Sequence, residues 1–240
     1  MNFVLIHLDC VDSTNSFAKR ELQLFADETT TCITADEQSG GRGRFGNQWL
    51  SPKGQNLYLT FVEKVRSSLQ LVHYSHVASL AMFSVLHSFG IASHVKWPND
   101  LLVQGKKICG ILVEGTSKGK TPWAIVGIGL NINMEAELLR SIDRPATSMQ
   151  EVLTSEVSIQ KVQEKTIETI LATLQWASEN PSLCQQQYLS LCTWMEETHA
   201  IVQTATGTIE GTIKGFSPEG HLLLQKPTGE TIAIVQGVVL

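Results

Sequence analysis

Apolar and polar positions along the chain change their period several times, and each change predicts an element. Phe3–Leu8 is a short apolar run of strand type. It gives way to Asp12-Ser13-Thr14, small oxygen-bearing side chains suited to capping a helix, so a helix is predicted over Asn15–Phe25. Thr30–Ala35 and Asn56–Val62 read as strands, separated by a turn-rich stretch, Asp36–Gln55, with five glycines and one proline. Leu69–Phe89 has helical spacing. From His94 to Asn133 three or four short apolar runs are punctuated by Asn-Asp, Gly-Lys and Gly-Lys-Thr-Pro, the pattern of a β-meander. Ser158–Ala177 reads as a helix, followed by a shorter one over Pro181–Cys192. Near Glu196 the texture becomes β-branched and glycine-rich, predicting four or five short strands in a small β-barrel. The expectation is an α+β protein with a larger unit, residues 1–195, and a smaller β unit, residues 196–240.

Charge and composition narrow the functional classes. The chain has 240 residues, 42% of them hydrophobic, and a net charge of −5; it is long enough for a sizeable core and a poor general adhesive for nucleic acid or anionic membrane. Cysteines at 10, 32, 109, 184 and 192 form no Cys-x-x-Cys pair, which fits reduced thiols in a cytoplasm. The N-terminal segment has no basic region ahead of its apolar run, and Val77–Ala92 is broken by Ser79, Ser84, His87, Ser88 and Gly90. A secretory signal and a membrane span are therefore not expected.

Two glycine patterns imitate nucleotide motifs. Gly41–Gly46 satisfies G-x-G-x-x-G, but turn chemistry, NQWLSPKGQ, follows it where a dinucleotide site opens a helix. Gly115–Thr121 resembles a P-loop with one spacer residue too few, and Pro122 and a β-type run follow; a hairpin turn is expected there. His73 and His76 are spaced i, i+3 with no third ligand nearby, and are expected to be packed or surface residues.

Three segments carry candidate chemistry. Gly40–Trp49 combines glycines, which let backbone N–H groups approach a ligand, with Arg42 and Arg44, whose forked donors suit carboxylate and phosphate. It reads as an anion cradle or as a solvated basic loop, with a nucleic-acid contact a weaker third reading. Lys96-Trp97-Pro98-Asn99-Asp100 is a stiff turn bearing an amide and a carboxylate, and Lys107 opens the apolar run after it. Val126–Asn133 places Gly127 and Gly129 in a strand, a sign of close approach by a ligand, beside two asparagines.

In order, DSTN (12–15), DEQSGGRGRFGNQW (36–49), SPKGQNLYLTF (51–61), KWPNDLL, KKICGILVEG and VGIGLNIN resemble the biotin protein ligases, also called holocarboxylase synthetases. The likeness is dense over about residues 10–150 and continues weakly through Pro145–Ser148 to Val235-Gln236-Gly237. Such enzymes join biotin to ATP as biotinyl-5′-adenylate, then pass biotin to a lysine of the biotin carboxyl carrier protein of acetyl-CoA carboxylase.

The resemblance implies a mixed sheet flanked by helices, with an SH3-like C-terminal barrel. It implies biotin contacts from Ser13, Thr14, Asn15, Gln38, Arg42, Gly43, Arg44, Lys107, Leu112, Gly127 and Gly129. It implies ATP contacts from Arg42, Arg44, Trp49, Asn99, Lys107 and Asn131. Lys107, Arg44 and Asp100 are the implied catalytic set, with Asp100 holding Mg²⁺, positioning the acceptor lysine or shaping its turn. Twelve residues precede Ser13, too few for the DNA-binding domain of bifunctional relatives, so no DNA binding is expected. Relatives occur as monomers and dimers, which leaves a homodimer open. Competing readings are a lipoate- or octanoate-transferring enzyme of the same superfamily and a non-catalytic biotin-binding module.

Overall fold

A computed structural model describes residues 2–217 and 219–240; Met1 and Pro218 lie outside the described residues. Seven strands build the main sheet: β1 (Phe3–Val11), β2 (Thr30–Gln38), β3 (Leu57–Lys64), β4 (His94–Lys96), β5 (Asp100–Val103), β6 (Lys106–Lys118) and β7 (Thr121–Leu130). Their spatial order is β1-β2-β3-β7-β6-β5-β4. β1 and β2 run parallel and every other neighbouring pair antiparallel, so the sheet is mixed, as expected. The expected meander is β4 to β7. Gly115–Thr121 is a hairpin: Gly115 pairs with Ala124 and Lys118 with Thr121, around a turn at Gly119.

Strand alternation assigns the two faces. On β7, Ala124, Val126, Ile128 and Leu130 join the larger core, while Trp123 and Ile125 join a smaller one. The larger core is covered by helices α2 (Leu71–Ser88), α5 (Ile159–Glu179) and α6 (Pro181–Ser190). α5 earns its place by a buried stripe of Val162, Ile167, Ile170 and Leu174, each adding about 1.5–3 kcal/mol on burial. The smaller core lies beneath α1 (Thr14–Arg20).

The helix expected over Asn15–Phe25 is shorter than its pattern. α1 stops at Arg20 and a separate 3₁₀ turn, Leu22–Leu24, follows. The redirection buries Leu22 and Phe25 against Ile33, Val62 and Trp123, which a straight helix does not require. Two short helices, α3 (Ala136–Ser141) and α4 (Met149–Leu153), escaped the periodicity reading because neither is long enough to display a period.

The C-terminal strands are β8 (His199–Thr204), β9 (Gly207–Phe216), β10 (Leu222–Gln225), β11 (Thr231–Ile234) and β12 (Val238–Val239). They form an antiparallel sheet of order β11-β10-β9-β8-β12, whose edge strands β11 and β12 do not pair with each other. Closure into a barrel is thus not seen in the pairing. Ala200, Val202, Ile213, Leu222 and Leu224 merge with the main core beside Trp97 and Met195. One apolar interior serves both sheets.

His73 and His76 are packing residues. His76 is buried and stacks on Tyr188 at 4.1 Å. Burial, and secondarily the neighbouring His73, push its imidazole down to about 3. Between about pH 6.5 and 3 the unfolded chain therefore binds a proton that the folded chain refuses, and stability falls as pH falls through that window. Melting temperature measured against pH is expected to show this acid limb, and His76→Gln to flatten it. Superimposable slopes for the two proteins would contradict the assignment.

Candidate active site

The cavity floor is made by side chains that are missing. Along β7 the face that carries Trp123 and Ile125 continues as Gly127 and Gly129, and their register partners on β6 are Leu112 and Gly110. A Cβ on Gly127 would stand 2.4 Å from Asn15 Oδ1, and one on Gly129 2.4 Å from the Trp49 ring. A Cβ on Gly110 would meet Trp49 at 2.9 Å and Lys107 at 3.0 Å. Glycine is thus required where Asn15, Trp49 and Lys107 lie directly on the sheet.

Above this floor sits a cavity of about 440 Å³. Every site residue implied by the resemblance lines it: Ser13, Thr14, Asn15, Gln38, Arg42, Gly43, Arg44, Trp49, Asn99, Asp100, Lys107, Leu112, Gly127, Gly129 and Asn131. The chain also contributes wall residues that carried no recognisable signal, among them Ser141, Ile142, Asp143, Arg144 and Val238, and Pro145 and Ala146 from the faint part of the resemblance line it too. Beside the cavity Lys96, the first residue of the Lys96–Asp100 turn, stands in register with Asp100 across β4 and β5, and burial lowers its ammonium below the ordinary lysine range.

One end of the cavity is a polar relay at the start of α1. Ser13, Thr14 and Asn15 are buried. The Ser13 hydroxyl caps α1 by accepting from Ser16 N–H. Gln38 Oε1 accepts from the Thr14 backbone N–H at 2.9 Å, and Gln38 Nε2 donates to Ser51 Oγ at 2.9 Å. Thr60 Oγ1 lies 2.7 Å from both Thr14 Oγ1 and Asn15 Oδ1. Asn15 Nδ2 donates to Glu114 Oε2 at 2.9 Å and to the Leu112 carbonyl at 3.3 Å.

The glycine stretch is a small hairpin lid. Trp49 N–H donates to the Gly41 carbonyl at 2.9 Å and Gly43 N–H to Asn47 at 2.7 Å. Gly41 is obligatory, since a Cβ there would lie 2.4 Å from the Trp49 carbonyl oxygen. Arg44–Gly46 forms the tip, turned by Phe45 at φ 55°. Beyond a 3₁₀ turn at Arg44–Gly46, residues 47–55 run on in turns and loop, as the turn chemistry after the motif led one to expect.

The two lid arginines differ. Arg42 pairs with Glu114 at 2.8 Å, so its charge is already matched by protein. Arg44 Nη1 donates to the Gly237 carbonyl at 3.0 Å and approaches Asn99 Oδ1 at 3.4 Å. No carboxylate pairs with Arg44 among the described residues, and burial draws its guanidinium down against the opposing pull of Asp100. Lys107 Nζ lies 2.7 Å from Asp100 Oδ1 and 5.2 Å from the centre of the Trp49 ring. That Asp100 oxygen is buried and lacks a hydrogen bond of good angle. Asn131 donates its amide to the Thr147 carbonyl at 3.0 Å.

The fold and the chain's relatives together define a ligase. Residues 7–131 match the biotin/lipoate A/B protein ligase family, and the chain belongs to it. Its relatives there are biotin protein ligases. The chain is 31% identical over 230 residues to the bifunctional ligase/repressor BirA of Escherichia coli, covering 91% of this chain and 68% of that protein. It is 28% identical over 211 residues to the biotin–[acetyl-CoA-carboxylase] ligase of Paracoccus denitrificans, covering 83% of this chain and 86% of that one. A solved structure of the Aquifex aeolicus biotin protein ligase in complex with biotin and ATP matches with a TM-score of 0.80 at 28% identity, covering 100% of this chain and 97% of that one. No helix among the described residues is long and apolar enough to cross a membrane.

Proposed function

We propose that this chain activates biotin with ATP and transfers it to a lysine of the carboxyl carrier protein of acetyl-CoA carboxylase, in the cytoplasm. The observation that carries the biotin reading is the polar relay at Ser13, Thr14, Asn15 and Gln38. Ser13 retains a hydroxyl proton, Gln38 a second amide hydrogen, and Asn15 an oxygen lone pair, so donors and acceptors converge as a cyclic urea requires. The apolar dithiolane of lipoate would leave these buried groups unpaired, at about 1–3 kcal/mol each. From Gly127 to Asn131 is four residues, roughly 13 Å of extended chain, over which the lining changes from this relay to Lys107, Trp49 and then Asn131. That sequence of surfaces suits a ureido ring, a carboxylate meeting an α-phosphate, and an adenine.

In the first step a biotin carboxylate oxygen attacks the α-phosphorus and the bond to the bridging oxygen breaks, releasing pyrophosphate. Two anions must approach, and Lys107 and Arg44 offset their repulsion and stabilise charge on the phosphoryl oxygens. In the second step the carrier lysine's uncharged amine attacks the acyl carbon, AMP leaves, and the amine gives up a proton. The protein supplies no nucleophile. Asp100 would hold a magnesium ion: its carboxylate lines the cavity, ion-paired with Lys107 at 2.7 Å, and a single carboxylate is a usual protein share when nucleotide phosphates complete the shell. Bound there, the ion would neutralise phosphate charge. Residues 1–195 would carry this chemistry, and residues 196–240, read as an SH3-like module, supply Val238 and the Gly237 carbonyl that meets Arg44.

ATP–pyrophosphate exchange with biotin, with lipoate and with neither tests the reading. Biotin-dependent exchange requiring Mg²⁺ is expected. Exchange with lipoate alone would transfer the chain to the rival activity, and biotin binding without exchange would make it a binding module. Arg44→Ala is expected to speed adenylate release about tenfold, the effect of one charge-assisted hydrogen bond. Release of labelled adenylate from purified complex, and label on bystander lysines, measure it; unchanged release would remove Arg44 from this role.

A further inference from the structure

Glu114 touches neither the cavity nor any expected ligand, yet it collects three donors that do different work. Its side chain is 16% exposed and pairs with Arg42 from the lid at 2.8 Å and with Lys19 from α1 at 2.8 Å. It also accepts from Asn15 Nδ2 at 2.9 Å. Burial raises the carboxyl, but the donors Lys19, Asn15 and Arg42 outweigh it and hold Glu114 below its ordinary range, so it is an anion at neutral pH.

An anionic carboxylate only accepts, as does the Leu112 carbonyl, and of the two Glu114 makes the shorter contact that fixes which way the Asn15 amide points. Its Nδ2 is committed to Glu114 and to the Leu112 carbonyl, while Oδ1 lies beside Thr60 and above Gly127, on the cavity floor. Resting on the biotin reading above, we propose that Glu114 is a positioning residue that sets ligand specificity: it obliges Asn15 to present an oxygen to the ligand, selecting a ureido N–H, and the same carboxylate holds the lid through Arg42. A glutamine at 114 offers an amide of its own, so only the longer 3.3 Å contact to the Leu112 carbonyl still demands this orientation, and the Asn15 amide turns to present N–H more readily.

Glu114→Gln in the full chain is expected to raise KM for biotin about tenfold in pyrophosphate exchange, with kcat changed less than threefold, and to speed adenylate release. An N-methylated ureido analogue of biotin, which lacks the selected N–H, should bind wild type at least tenfold more weakly than biotin. That ratio should shrink in the variant. Lys19→Ala separates this from a merely structural ion pair, because Lys19 holds the same carboxylate but lines no cavity; it should leave KM and the analogue ratio unchanged. Equal effects of Lys19→Ala and Glu114→Gln, or an unchanged biotin KM in a folded Glu114→Gln protein, would overturn the role. Wild type without biotin-dependent exchange would instead overturn the reading on which it rests.

Discussion

Lys107→Ala is expected to lower kcat for biotin-dependent pyrophosphate exchange by about 10²–10³, the size of losing one donor aimed at developing charge, roughly 2.7–4 kcal/mol. The ammonium stands 2.7 Å from Asp100 and over the Trp49 face at 5.2 Å, where carboxylate and phosphate would meet. Alanine removes that charge and leaves a half-buried Asp100 carboxylate unpaired, which adds a second anion to the repulsion. Lys107→Arg should recover little, because the Lys107 tip already lies against Gly110 and the longer, planar guanidinium has no room to settle there. Single-turnover adenylate formation, with KM for biotin measured alongside, is the decisive assay. A fall confined to KM, or a change below threefold, would place the charge outside the reacting centre.

The second large effect falls on the floor. Gly127→Ala is expected to weaken biotin binding about 10- to 100-fold, the range of a 1–3 kcal/mol overpacking cost. The added methyl would stand 2.4 Å from Asn15 Oδ1, and Asn15 is tied to Thr60, Leu112 and Glu114, so it has nowhere to withdraw. The comparison with Gly129→Ala is instructive. There the new methyl would meet the Trp49 ring, and no hydrogen bond among the described residues holds its Nε1 against a shift. Gly129→Ala should therefore raise KM for ATP rather than for biotin. Calorimetric titration of each variant with biotin alone, then with ATP, reads the split; equal effects on both ligands would show that the two glycines line one undivided space.

Much of the site was legible because its residues lie in short segments whose chemistry is local. Glycines in an apolar strand, a Ser-Thr-Asn helix start and a paired-arginine loop each announce themselves, and their order carried the family resemblance. Residues without such a local signature were missed. Val238 is an ordinary strand valine, and residues 142–144 sit between two helices too short to show a period. Glu114 lies within the KKICGILVEG segment, but nothing local marks its role until α1 and the lid are folded against it. The β-barrel expected of the C-terminal strands presumed a core of its own, whereas their apolar residues complete the main one.

By itself the sequence determined the alternation that gives β7 two faces and the gaps at Gly127 and Gly129. It also determined the cap that starts α1 and the supply of cations to the lid, for these depend on neighbours a few positions away. Only the tertiary structure decided which cation is free. Arg42 finds Glu114 72 positions away and Arg44 finds the Gly237 carbonyl 193 away, pairings that exist only once β6 and the last strands have docked. Two arginines two residues apart are chemically alike along the chain; the carboxylate that folding brings to one of them leaves the other's charge available to a ligand.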